Sequence, residues 1–86
     1  MENPAPPRQA LDLLQAGGLV LGPQWAEAHQ ICQSCEGTLG YDLVHALCHW
    51  IEGDSANRDY WYRRVPPWQR AETIAAEWQA IAATMT

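Results

Sequence analysis

Three histidines and one glutamate hold the most suggestive chemistry in this sequence. His45, His49 and Glu52 are spaced four and three residues apart. On a helix they therefore fall within about 60° of one another. An i,i+4 pair of imidazoles with a carboxylate one turn further on is a suitable ligand set for a divalent transition metal. His29 lies on the preceding segment and faces this group if the two helices pack antiparallel. The same residues also suit a structural network, with the imidazoles donating to Asp54, Asn57 or backbone carbonyls. Spacing leaves both readings open. In the metal reading the candidate ligands are His29, His45, His49 and Glu52. In either reading, buried imidazoles would be neutral and acid would weaken the fold.

Cys32-x-x-Cys35 followed by His45-x-x-Cys48 has a zinc-like spacing. Structural zinc sites hold their CxxC in a turn, however, and here both cysteines fall on the apolar stripe of a helix. Buried cysteine behaves as a small hydrophobe, which is the simpler account. Without a βαβ pattern around it, the motif does not read as thioredoxin-like.

A second group lies just downstream. Asn57, Tyr60, Trp61 and Arg64 share one side of a helix, and Asp59 and Arg63 form an i,i+4 pair. Tyr, Trp and Arg dominate interface hot spots. Arg58, Arg63 and Arg64 also gather three of the five cations into seven residues. That concentration suits a protein partner or a small anionic ligand. In the structural alternative, Trp61 and one tyrosine join the core, while Arg63 and Arg64 pair with Glu52, Asp54 or Asp59.

Composition limits what surrounds these groups. Eighty-six residues make one small domain, and 48% apolar against 17% charged residues is too apolar for disorder. Ten carboxylates against five arginines and no lysine give a net charge of −5, which argues against a stand-alone nucleic-acid binder. The longest apolar run, Leu19-Val20-Leu21, is far too short to span a bilayer. Met1 to Pro7 has neither a basic nor an apolar region of the signal-peptide kind, and its three prolines favour an extended lead-in. An odd cysteine count without an export signal leads to the expectation of a reduced, cytoplasmic setting. There is no G-x-S-x-G, phosphate-cradling glycine loop or H-E-x-x-H, so nothing in the sequence requires an enzyme.

Positioning these residues falls to about five short helices. Gly17-Gly18 closes a first, from about Arg8, and Gly22-Pro23 opens a second that runs towards Gly37-Thr38. Trp25, Ala28, Cys32 and Cys35 form its apolar stripe. The third spans about Leu39 to Glu52, with Thr38 as its cap and Gly53 as the left-handed residue beyond its end. Asp54 or Ser55 caps a fourth, from about Ser55 to Val65, which Pro66-Pro67 stops. The fifth carries Ala71, Ile74, Ala75, Trp78, Ile81, Ala82 and Met85 on one face. No stretch alternates with period two, so the class is all-α: an extended lead-in over 1–7 and a single helical domain over 8–86.

The run His45-Ala46-x-x-His49-x-x-Glu52-Gly53-Asp54-x-x-Asn57-x-x-Tyr60-Trp61-Tyr62-Arg63-Arg64 resembles a family of small helical proteins, largely bacterial and fungal, without an assigned activity. Their pattern reads H-A-x-x-H-x-x-E-G-D-x-x-N-A-x-Y-W-Y-R-R-A-G, and Trp25-x-x-Ala28-His29-x-Ile31-x-Gln33 is similar to its upstream segment. The likeness covers about Trp25 to Val65. Arg58 stands where the family has Ala, and Val65-Pro66 where it has Ala-Gly. The same stretch also resembles a single tetratricopeptide-type hairpin, with no second copy at 34 residues. Both resemblances imply architecture and positions; neither implies a reaction.

Two functional expectations follow. The first is a small binding or adaptor module, with its site on the His45/His49/Glu52 face and the Asp54, Asn57, Tyr60, Trp61, Arg63 and Arg64 region. The second is a metal- or small-ligand-binding protein using His29, His45, His49 and Glu52. Self-association through the last helix, with Trp68 or Trp78 exposed at the seam, is a further expectation.

Overall fold

Proline and glycine delimit the helices of the computed structural model, which describes residues 5–85. They are α1 (Pro7–Ala16), α2 (Pro23–Gln33), α3 (Leu39–Ile51), α4 (Ser55–Arg63) and α5 (Ile74–Ala83). The described residues contain no strand. Pro7 and Pro23 each open a helix at a position whose N–H has no intrahelical acceptor to lose. Residues 1–4 of the expected lead-in lie outside the described residues; Pro7 belongs to α1, and the Ala5 carbonyl accepts from Tyr41 Oη (2.7 Å).

Local chemistry moved two boundaries. The Ser34 hydroxyl donates to the Ile31 carbonyl at 2.6 Å and competes with helix continuation, so α2 ends at Gln33. Cys35 therefore leaves the expected stripe and sits in the following turn. The expected apolar face of the last helix is also shorter, because Thr73 caps α5 by accepting from Ala76 N (3.1 Å), which places Ala71 before the helix. Between α3 and α4 the expected turn is present. Gly53 takes φ +83°, and the Asp54 side chain accepts from Asn57 N as the α4 cap.

Helix α3 is the centre of the molecule. Every residue from Tyr41 to His49 is buried, and α1, α2, α4 and α5 all pack against it. Leu43, Val44 and Leu47 meet Leu11, Leu14, Trp78 and Ile81 in the main core. The polar side of α3 is covered by α2, which brings His29 to it, and by α4, which brings Trp61. A radius of gyration of 11.6 Å, against about 12 Å for a compact chain of this length, shows that the short helices close on one another.

Indole N–H groups fasten this packing. Trp25 Nε1 donates to the Cys48 carbonyl at 2.8 Å, joining α2 to α3, and Trp78 Nε1 donates to the Leu11 carbonyl at 2.7 Å, joining α5 to α1. Trp78 is thus buried, and the expected seam for self-association loses that indole. Trp68 is half-buried and donates to Glu77. No helix of the described residues is long and apolar enough to cross a membrane.

Candidate functional site

The site begins with α3 spacing and is completed by α2. His45 and His49, one turn apart, stack with ring centroids 4.9 Å apart. His29 from α2 meets both edge-on, at 4.8 and 5.2 Å. Its Nε2 lies 3.1 Å from His45 Nε2, so one imidazole donates and the other accepts. One ligand atom from each of the three imidazoles can be chosen so that all lie within 4.8 Å of one another. The expectation that His29 faces the α3 pair is met.

Glu52 acts on the cluster from the end of α3. Its Oε1 lies 2.5 Å from His49 Nδ1. A carboxylate only accepts, so the proton belongs on Nδ1 and the Nε2 lone pair of His49 is left free. Two indoles close the cluster: Trp25 stacks on His29 at 4.9 Å and Trp61 on His45 at 4.1 Å. Arg64 lies over Trp61, 5.2 Å from its centroid, which extends the stack to the surface. His29 and Glu52 are half-buried and form the approach from solvent.

Electrostatics favour the neutral imidazole at His45 and His29. Burial, reinforced by His29 and His49, pushes His45 down to about 3. His29 is also lowered, first by burial and then by His49. His45 is 2% exposed, and its Nδ1 has no hydrogen-bond partner. The arrangement that leaves no buried N–H unpaired puts the His45 proton on Nε2, donated to His29, and makes Nδ1 an unused lone pair. His45 Nδ1 is therefore a buried lone pair with no donor facing it.

The other expected site residues are placed differently. Asp54 accepts from Asn57 with both oxygens, from its N (3.1 Å) and Nδ2 (2.7 Å), and so caps α4, while its carboxylate also lies within 4.8 Å of ligand atoms of His49 and Glu52 at the edge of the cluster. Tyr60 is exposed and accepts from Arg64 (3.3 Å), while Trp61 is buried. Asp59 pairs with Arg58 at 2.9 Å rather than with the expected Arg63. Arg63 and Arg64 form no ion pair among the described residues, contrary to the structural alternative. The zinc-like cysteines do not join the site either. Cys32 and Cys48 are buried, and their mutual hydrogen bond, with burial, raises the Cys48 thiol well above its ordinary range.

Sequence reasoning missed Trp25 as a wall of the site, although its i,i+4 spacing to His29 was visible. It also missed Glu77, which is fully buried. Its carboxylate accepts from Tyr62 Oη (2.6 Å), Trp68 Nε1 (2.9 Å) and Ala71 N (2.9 Å). No family model, curated protein or solved structure matches the chain.

Proposed function

We propose that this protein is a small helical metal-binding module that holds one divalent transition metal at His29, His45 and His49. The single observation that carries the reading is the convergence of three imidazoles from two helices, with ligand atoms within 4.8 Å of one another. Tetrahedral coordination with metal–nitrogen bonds of about 2.0–2.1 Å places ligand atoms about 3.3 Å apart. The Nε2 atoms of His29 and His45, 3.1 Å apart, are already close to that, and a metal bound by both would replace the proton they share and leave the His45 proton on Nδ1.

Two further features support it. Glu52 on His49 Nδ1 is the carboxylate–histidine arrangement that orients an imidazole and raises its basicity towards a metal. Three protein ligands also leave a fourth position for water or a small molecule, the arrangement of sites that exchange ligands. Burial favours the neutral, ligating form of His29 and His45. A macromolecular partner fits the cluster less well, since α2 and α4 cover His45 and His49.

Titration of untagged, metal-free protein with Co²⁺ and Zn²⁺ tests this reading. The expected result is one equivalent bound, with the visible d–d absorption of low-coordinate Co²⁺. His49→Gln should abolish it, and Glu52→Gln should weaken binding by about 10–100-fold. Absence of both Co²⁺ absorption and any Zn²⁺-induced rise in Tm would overturn the proposal, as would undiminished binding by a folded His49→Gln variant.

A further inference from the structure

A groove of about 380 Å³ lies away from the imidazoles, lined by Asp59, Tyr62, Arg63, Trp68 and Arg70. It is within the size range of small-molecule sites. Two aromatic side chains line it, and the polar ends of both are held by one buried carboxylate. Tyr62 Oη and Trp68 Nε1 each donate to Glu77 Oε2, and Ala71 N fills Glu77 Oε1. This lining is therefore set before any ligand arrives, which removes part of the ordering cost of binding.

Two guanidiniums share the groove with donors to spare. Arg63 makes no hydrogen bond or ion pair among the described residues. Arg70 spends one N–H on the Ala71 carbonyl (3.2 Å) and lies over Trp50 at 4.9 Å, which steadies its position. In a chain with twice as many carboxylates as arginines, uncommitted guanidiniums at one groove are unusual. The one carboxylate on the wall, Asp59, is hydrogen-bonded by Arg58 at 2.9 Å and feels Arg70 and Arg63 only through their charge.

Counting charges selects the ligand. The Arg58–Asp59 pair cancels, and the buried Glu77 carboxylate offsets one of the two remaining guanidiniums. An excess of a single positive charge is left, which matches a carboxylate better than a doubly charged phosphate. Indole and phenol surfaces in the groove call for a flat apolar body next to that charge. From this we propose that the groove is a second binding site, independent of the metal reading, for a small aromatic monocarboxylate. The carboxylate bridges Arg63 and Arg70, and the ring lies against Trp68 and Tyr62.

Titration of the full chain with 1-naphthoate, followed by ¹H–¹⁵N NMR, tests it. The Trp68 indole N–H should shift saturably, with the Trp25 and Trp78 indoles unmoved. Arg63→Gln and Arg70→Gln should each weaken binding roughly tenfold, the worth of one charge-assisted hydrogen bond. Arg64→Gln, which removes an equal charge from the neighbouring position outside the groove, should leave it unchanged. Inorganic phosphate should compete poorly. All three exposed arginines can be replaced without disturbing the core, and unchanged indole spectra of the free variants verify that. No saturable Trp68 shift, or equal weakening by Arg64→Gln, would overturn the proposal. Preference for phosphate over naphthoate would overturn the carboxylate assignment.

Discussion

His45 carries the sharpest consequence at the scale of a single residue. Its folded pKa is about 3, whereas an unfolded histidine titrates near 6.5. Between those values the unfolded chain binds a proton that the native state refuses, so stability falls as pH drops below about 6.5. The groups facing it are His29 from α2, Trp61 from α4, and His49, which is itself bonded to Glu52. None of them offers His45 a direct carboxylate partner that would reverse the sign. For metal-free protein, moving from pH 7.5 to 5.5 should cost about 1.4 kcal/mol through His45 alone. Thermal unfolding should show this as a drop in Tm of about 6–11 °C. An unchanged midpoint would mean that His45 is protonated in the native state.

Helix ends matter most at the scale of the elements, because the α3–α4 turn positions Glu52. Gly53 adopts φ +83° there, with open space where a Cβ would stand, so a side chain would meet backbone strain and no clash. Gly53→Ala should therefore destabilise the protein by about 1–2 kcal/mol. A lower urea midpoint with an unchanged slope is the expected signature, and an unaltered midpoint would contradict it. This turn was legible in the sequence, since Gly53 and Asp54 follow local rules that act within one helical turn. The early end of α2 was not, because it depends on which carbonyl the Ser34 hydroxyl chooses. Cys35 followed that choice into the turn.

At the scale of the whole molecule, Glu77 holds three parts of the chain together: Tyr62 of α4, Trp68 and Ala71 of the connecting segment, and its own helix α5. Glu77→Ala would strand three donors and open a cavity. It should cost more than about 3 kcal/mol, a large share of the roughly 4–13 kcal/mol that a domain of this size possesses. Glu77→Gln keeps an acceptor but turns an amide N–H₂ towards donors, so an intermediate loss is expected. Chemical denaturation checks both, and a Glu77→Ala variant within about 1 kcal/mol of the parent would contradict the role. The residue escaped sequence reasoning because a glutamate on an amphipathic helix ordinarily faces water. Its partners lie 6 to 15 positions away and are brought to it by packing alone.

By itself the sequence determined the all-α class, the order of five short helices and the shared helical face of His45, His49 and Glu52. Those features rest on 3.6-residue periodicity and on capping, which act between near neighbours in the chain. Only the tertiary structure decided that α2 would bring His29 to 3.1 Å from His45, and that α4 would lay Trp61 over His45. It likewise decided that Arg63 and Arg70 would flank one groove instead of pairing with nearby acids. Contacts of that kind depend on how helices cross and on which polar groups burial forces together. No local spacing rule encodes either.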